Sequence, residues 1–136
     1  MLSLSIENTK DFMAKLLKDT IFDAYELHSL AIHSFAVFEI YKKPETMPPT
    51  WQTVRTYAFD LIKGSTPPSY IKAVLAKPND DDYMFFNITF ENGEVIITSG
   101  YSQKYFNPDK SAFNTWNDSI KEFLQNNNIT YQNNLI

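Results

Sequence analysis

The sequence contains two histidines, His28 and His33, and histidine is the residue type most used for proton transfer and metal binding near neutral pH. They lie five residues apart, on or beside predicted strands. Because successive side chains of a strand alternate between faces, we expect the two rings to point to opposite faces of the sheet. That is poor geometry for a shared metal ion. We therefore interpret both as surface or edge-strand histidines.

Three consecutive aspartates, Asp80–Asp82, offer the oxygen ligands that a hard cation prefers. The run lacks the spaced ligands, the central glycine and the closing bidentate glutamate of a calcium loop. We interpret the segment KPNDDD, residues 77–82, as a solvated polar loop.

Other chemical motifs are missing from the sequence. It has no G-x-S-x-G elbow, no glycine-rich phosphate loop and no H-E-x-x-H pair. With no cysteine, it also has no disulfide, thiolate nucleophile, iron–sulfur cluster or thiolate zinc site. The acidic residues fall mainly on predicted solvent faces or loops, which is unsuited to a shielded acid–base pair. The sequence therefore assigns no catalytic, metal-binding or cofactor-binding residue, predicts no cofactor, and argues against an enzyme more than for one.

Aromatic side chains are the remaining candidates for binding. Trp51 and Trp116 lie on the apolar stripes of predicted helices and are expected in the core. Tyr101, Tyr105 and Phe106 lie beyond the regular strand pairing, so they can either pack in the core or line a ligand groove. Arg55, at the margin of a helical stripe, is expected to cover apolar surface with its stem.

Composition limits the class of protein. The chain has 136 residues, 43% hydrophobic and 15% aromatic, which is enough for one globular domain spanning residues 1–136. Its net charge of −4, with one arginine among 12 basic residues, makes a nucleic-acid partner unfavourable. No apolar run approaches the roughly 20 residues of a membrane helix. The N-terminal MLSLSI alternates rather than forming a signal peptide, so we expect a cytoplasmic protein with no membrane partner.

The elements that would position these residues are clearest in the segment from Tyr83 to Phe106. Asn92-Gly93 favours a two-residue hairpin turn. Turning there pairs Phe90 with Val95, Ile88 with Ile97, Phe86 with Ser99 and Met84 with Tyr101 on one apolar face. The opposite face pairs Glu91 with Glu94, Thr89 with Ile96, Asn87 with Thr98 and Phe85 with Gly100. This alternation predicts an antiparallel sheet covered on one side, and Phe85 is expected to cover the glycine.

Three helices are predicted from apolar stripes with helical spacing. The first runs from Asn8, its N-cap, to Lys18, the second is capped by Thr50 and stopped by Gly64, and the third opens at Pro108 and Asp109. The stripes are Phe12, Met13, Leu16 and Leu17 in the first helix; Trp51, Val54, Tyr57, Ala58, Leu61 and Ile62 in the second; and Phe113, Trp116, Ile120, Phe123 and Leu124 in the third.

The remaining segments predict strands. Residues 22–41 show spacing-two alternation whose phase switches near His28-Ser29, which predicts two strands joined by a turn or bulge there. A further strand is predicted from Tyr70 to Ala76. Residues 126–136 are expected to be a frayed polar tail, with a short edge strand at Ile129 and Tyr131 as the alternative. The result is an α+β fold with a mainly antiparallel sheet, the order β-α-β-β-α-β-β-β-α, and helices packed on one face.

Several segments resemble a small family of clostridial Firmicutes proteins, a domain of unknown function. They are SIENTKDFMAKLLKDTIFDAYEL, LIKG at Leu61–Gly64, the hairpin with ITSGYSQKYF, and DKS followed by Trp116. The likeness covers nearly the whole chain. It implies a bacterial, cytosolic protein and carries over no catalytic or binding residue.

The order of elements up to EVIITSGYSQKYFNP is also similar to one domain of a DNA sliding clamp. That resemblance implies a basic helix facing DNA, and the first helix is expected to expose Lys10, Lys15 and Lys18. The single domain copy, the third helix and the acidic chain depart from the clamp pattern, and fold-level likeness does not carry function.

Three functional hypotheses follow. The leading one is a non-catalytic binding or assembly module, dimeric through an exposed edge of the sheet. The alternative is a small-molecule enzyme whose site is built from loops near residues 77–82 and 102–109. The third is a clamp-like, DNA-associated protein.

Overall fold

A computed structural model of the chain describes residues 2–43, 46–64 and 66–134. Within them the chain forms three helices and one seven-stranded sheet in the order β3-β2-β4-β5-β6-β1-β7, and every neighbouring pair of strands is antiparallel. This confirms the predicted α+β class. The elements are β1 (Ser3–Ile6), α1 (Thr9–Lys18), β2 (Glu26–His33), β3 (Val37–Tyr41), α2 (Trp51–Ile62), β4 (Tyr70–Asn79), β5 (Asp82–Glu91), β6 (Glu94–Ser102), α3 (Ser111–Asn126) and β7 (Tyr131–Asn133).

The β5–β6 hairpin has the predicted register at every pair, from Glu91 opposite Glu94 to Met84 opposite Tyr101. Asn92 and Gly93 both adopt positive φ angles, 54° and 75°, as a two-residue turn of this hand requires. A side chain placed on Gly100 would have its Cβ atom 3.2 Å from the Cβ of Phe85. The aromatic residue therefore covers the glycine, as predicted.

The core lies between one face of the sheet and the helices. The inward-facing residues of the strands, such as Ile71, Leu75 and Ile97, are buried together with the stripes of the three helices. The predicted stripes of α1 and α3 are buried or partly buried throughout. In α2 the prediction for Tyr57 was wrong, because this side chain is 66% exposed. The side of α2 that faces the core is the one that carries Trp51, Val54 and Ala58.

Near His28-Ser29 the predicted alternative of a bulge is confirmed and that of a turn was wrong, and the count of two strands was right. The phase switch is a β-bulge inside β2, where the pairing with β4 shifts between Leu27 and Ser29. A bulge adds one residue and reverses the alternation without ending the strand. The chain turns instead between His33 and Val37.

The loop predicted at residues 77–82 was also wrong. β4 continues to Asn79 and β5 begins at Asp82, so that a two-residue turn joins them, with Asp80 at a φ of 53°. Pro78 is tolerated in β4 because β2 pairs with β4 only as far as Ala76. Beyond that residue β4 has one neighbour, and proline needs such an edge.

The helix ends agree in part with the prediction. Asn8 caps α1 by accepting a hydrogen bond from the backbone N of Asp11, at 3.0 Å. Thr50 stands at the N-cap position of α2 and its side chain makes no capping bond. The start of α2 is held instead by the backbone, since Trp51 N donates to Tyr25 O at 2.8 Å.

The C-terminal segment differs from the predicted frayed tail, and the edge-strand alternative describes it better. Ile129 is buried, and residues Tyr131–Asn133 form β7, which pairs with β1. The apolar Ile129 side chain gains from leaving water, and β1 would otherwise present an unpaired edge. The end of the predicted tail, residues 135–136, lies outside the described residues.

No helix among the described residues is long and apolar enough to cross a membrane.

Candidate functional site

Two adjoining hollows lie where the β4–β5 turn, the end of β6 and the segment leading into α3 meet. One, of about 480 Å³, is bounded by Tyr101, Ser102, Gln103, Phe106, Asp109, Lys110 and Phe113. The other, of about 510 Å³, is bounded by Asn79, Asp80, Asp81, Asp82, Tyr101, Tyr105, Phe106 and Asn107. They share Tyr101 and Phe106. We call the two together the corner groove.

Tyr101 lines both hollows of the corner groove and joins the segments around it by hydrogen bonds. Its hydroxyl accepts a hydrogen bond from Nδ2 of Asn79 at 3.0 Å and donates one to Oδ2 of Asp82 at 3.0 Å. The other oxygen of Asp82 accepts a bond from the backbone N of Lys104 at 3.0 Å. Burial raises the pKa of Tyr101, and the bond to Asp82 acts in the same direction. The phenol therefore stays protonated and ties three segments of the chain together.

The segment between β6 and α3 is held by its own polar side chains. Gln103 donates through Nε2 to the carbonyl of Asn107 and accepts from the backbone N of Asn107. Asp109 accepts from the backbone N of Ser111 at 2.9 Å and from its hydroxyl at 3.0 Å. These bonds lower the pKa of Asp109. They place a carboxylate before the first turn of α3, where the helix dipole also favours it.

Two aromatic rings on this segment face water. Phe106 is 88% exposed and Tyr105 is 67% exposed. The sequence left open whether Tyr101, Tyr105 and Phe106 belong to the core or to a groove. In the structure Tyr101 is half-buried and contacts Phe113 at 6.0 Å between ring centroids, while the other two stand at the rim of the corner groove.

The corner groove is acidic. Four carboxylates, those of Asp80, Asp81, Asp82 and Asp109, line it, against the single ammonium group of Lys110. Lys104 stands nearby, with its ammonium over the ring of Tyr105 at 5.5 Å. An acidic hollow with exposed aromatic rings attracts cationic and apolar groups.

The prediction that His28 and His33 point to opposite faces was wrong. The bulge adds a residue between them, so both rings lie on the sheet face away from the helices, His28 against Phe85 and His33 against Tyr70. They have separate partners. Among residues 2–43, 46–64 and 66–134, no three side chains of the metal-binding types gather into a group that could hold an ion.

Both tryptophans lie in the core, as predicted. The indole N–H of Trp51 donates to the carbonyl of Leu16 at 2.8 Å, and that of Trp116 to the carbonyl of Phe85 at 2.9 Å. Arg55 also has a partner that the sequence did not predict, because its guanidinium donates two hydrogen bonds to Asp23, at 2.8 and 3.1 Å. The pair raises the pKa of Arg55 and joins α2 to the chain before β2.

The basic face predicted for α1 is only partly present. Lys10 and Lys18 are exposed. Lys15 pairs with Asp11 at 3.0 Å and donates to the carbonyl of Asn127 at 2.8 Å, so its charge is used to cap the end of α3.

Sequence reasoning missed Asn79 and Asp82 as partners of Tyr101, because it placed both in a loop. The available signal was Asn79-Asp80-Asp81, since Asn and Asp tolerate the positive φ that a tight hairpin turn demands.

Comparison with models of protein families matches part of the chain. Residues 76–132 match a model described as a family of unknown function, DUF5721. The match covers less than half of the chain, yet it includes all of the corner groove, from Asn79 to Phe113. No curated protein and no solved structure matches the chain.

Proposed function

We propose that the protein is a non-catalytic binding module that holds a basic segment of a partner protein in the corner groove. The observation that carries the proposal is the exposed pair Tyr105 and Phe106 beside an acid-lined hollow, on a segment fixed by hydrogen bonds. Exposed aromatic rings on a preformed surface are favoured at the centre of protein interfaces.

The charges indicate the chemistry of the partner. Asp80 and Asp81 in the turn, with Asp82 and Asp109 beside it, attract a Lys or Arg side chain. Phe106 and Phe113 give an apolar residue of the same segment a surface to cover. A short segment with alternating basic and apolar residues fits both features.

An array of short peptides, probed with the purified protein, tests this proposal. We expect peptides carrying Lys or Arg beside an aromatic or aliphatic residue to bind, and their binding to weaken as salt is raised. Acidic peptides of matched hydrophobicity should not bind. Equal binding of the basic and the acidic peptides would exclude the corner groove as the binding site.

A pair of matched variants locates the surface. Phe106→Ser should abolish peptide binding, whereas Phe35→Ser should leave it unchanged. Phe35 is 73% exposed but lies between β2 and β3, among residues that do not line the corner groove. If both variants lose binding equally, exposed apolar area rather than the corner groove is responsible.

Assembly through a sheet edge is the second part of the proposal. β3 is an outermost strand of the seven, and its residues Val37 and Tyr41 are 63% and 66% exposed. An apolar edge strand invites pairing with a second copy. Light scattering after size exclusion should give a dimer that Val37→Lys converts to a monomer, and a monomeric wild type would contradict this part.

The small-molecule enzyme alternative uses the same location, near residues 77–82 and 102–109. A concave surface exists there, but its chemistry favours binding. The pKa of Tyr101 is raised and that of Asp109 is lowered, which moves both away from the range of a general base near neutral pH. The clamp-like alternative has little support from α1, where Lys15 is engaged. It predicts salt-sensitive binding of duplex DNA at low ionic strength.

A bacterial, clostridial origin and a cytoplasmic location complete the proposal. The resemblance to a clostridial family and the 11 lysines against one arginine among 12 basic residues support them. Tracing the chain in clostridial genomes, with fractionation of such a cell, tests both.

A further inference from the structure

A second cavity, of about 190 Å³, lies on the sheet face opposite the helices. Its lining includes Glu26, His28, Lys42, Tyr83 and Phe85. We call it the sheet-face pocket. It is separate from the corner groove, although Ser102 lines both, because the neighbouring Tyr101 faces the other side of β6.

The fold builds an aromatic wall for this pocket. The bulge in β2 turns His28 outward, where its ring contacts that of Phe85. The ring centroids are 5.2 Å apart and the ring planes are at 68°. Tyr83 stacks beside Phe85, with 6.4 Å between the ring centroids and 22° between the ring planes. Phe85 itself rests on Gly100, so its position is determined by backbone contact.

The opposite wall is the segment before α2, which includes Pro48. This segment is held to the start of β2, because Leu27 N donates to Pro49 O at 2.8 Å and Glu26 forms a bridge with Thr50. The pocket therefore lies between two parts of the chain that the backbone holds together.

The two charged side chains at the pocket, Glu26 and Lys42, form no ion pair with each other. Oε2 of Glu26 is buried and has no hydrogen-bond partner among the described residues. Lys42 extends over the ring of Tyr83, with its Nζ atom 5.7 Å from the ring centroid. The ion pairs of the described residues are Lys15 with Asp11, Arg55 with Asp23 and Lys63 with Asp60, so Glu26 and Lys42 are not paired with each other. Buried carboxylate oxygens normally have a partner.

We propose that the sheet-face pocket binds a small zwitterion, an aliphatic α-amino acid, with its ammonium group at Glu26 and its carboxylate at Lys42. One negative and one positive side chain line the same cavity beside aromatic rings, which matches the two charges and the apolar side chain of such a ligand. The volume is below the roughly 300 Å³ at which pockets for drug-sized ligands begin, so the ligand must be small.

Calorimetric titration with three probes tests the proposal. L-valine carries both charges, isobutylamine lacks the carboxylate, and isovalerate lacks the ammonium group. We expect L-valine to bind saturably and each analogue to bind about tenfold more weakly or worse, because a site built for a polar group rejects a ligand that leaves its partner unpaired. No saturable binding of L-valine, or equal binding of L-valine and one analogue, would overturn the proposal.

Two variants assign the charges. With Glu26→Gln, L-valine and isovalerate should bind equally, because the carboxylate that binds the ammonium group has been removed. With Lys42→Met, L-valine and isobutylamine should bind equally. A merely structural role for either residue would weaken all three probes in parallel, and that result would also refute the assignment. Phe106→Ser should leave L-valine binding unchanged, so the corner groove and this pocket can fail separately.

Discussion

Replacing Tyr101 by Phe removes one oxygen atom and with it two hydrogen bonds that tie the β4–β5 turn to the end of β6. Both bonds are only partly buried, so water replaces them in part when they are lost. At about 0.5–1 kcal/mol for each such bond, we expect the free energy of unfolding to fall by about 1–2 kcal/mol. The ring stays in contact with Phe113, so packing contributes little to the change.

Urea denaturation measures this loss. With a slope of about 2 kcal/mol per molar urea, the midpoint should fall by about 0.5–1 M while the slope stays the same. Tyr105→Phe is the matched control, because that side chain is 67% exposed and its hydroxyl is free to reach water. We expect no shift in the control.

Two results would contradict the role of the Tyr101 hydroxyl. An unchanged midpoint in Tyr101→Phe would show that water substitutes fully for Asn79 and Asp82. An equal fall in both variants would show that the hydrogen bonds are not its cause. Faster amide hydrogen exchange of Asp81 in Tyr101→Phe, but not in Tyr105→Phe, would locate the loss at the turn.

Three further predictions concern the core and the turns. Burial raises the pKa of Tyr25 from 10.0 to about 12, so the folded chain keeps a proton that the unfolded chain releases. Stability should therefore fall by up to about 2 kcal/mol as pH rises from 10 to 12, and Tyr25→Phe should remove that part of the slope in denaturation at several pH values. Trp51→Phe should lower stability by about 2–4 kcal/mol, because it leaves the carbonyl of Leu16 at the end of α1 without its donor; a loss as small as that of an exposed substitution would contradict this. Gly93→Ala should cost about 1 kcal/mol in urea denaturation, since φ there is +75° while the space around a new methyl group is open; a stabilised variant would contradict it.

Most elements of the fold could be predicted from patterns among neighbouring residues. The hairpin followed from Asn92-Gly93 and strict alternation, because both the turn and the two-residue period are properties of neighbouring residues. The stripes of α1 and α3, and the cap at Asn8, followed for the same reason. Such features need no knowledge of distant segments.

The errors arose where a distant partner decided the structure. The phase switch at His28 is compatible with either a turn or a bulge, and the continuous pairing of β2 with β4 selects the bulge. The length of β4 depended in the same way on β5, which pairs with it as far as Asn79 opposite Asp82. The exposure of Tyr57 depended on which side of α2 the sheet and α1 cover.

The sequence alone determined the α+β class, the hairpin register and the presence of aromatic residues around Tyr101 to Phe106. Only the tertiary structure decided that Tyr101 joins Asn79 to Asp82, and that Glu26 and Lys42 line one pocket. Residues 79, 82 and 101 meet because strand pairing brings them together, and residues 26 and 42 line one pocket because β3, which Lys42 follows, pairs with β2. Periodicity reports which face a side chain occupies, whereas a binding site depends on which faces and ends lie next to each other.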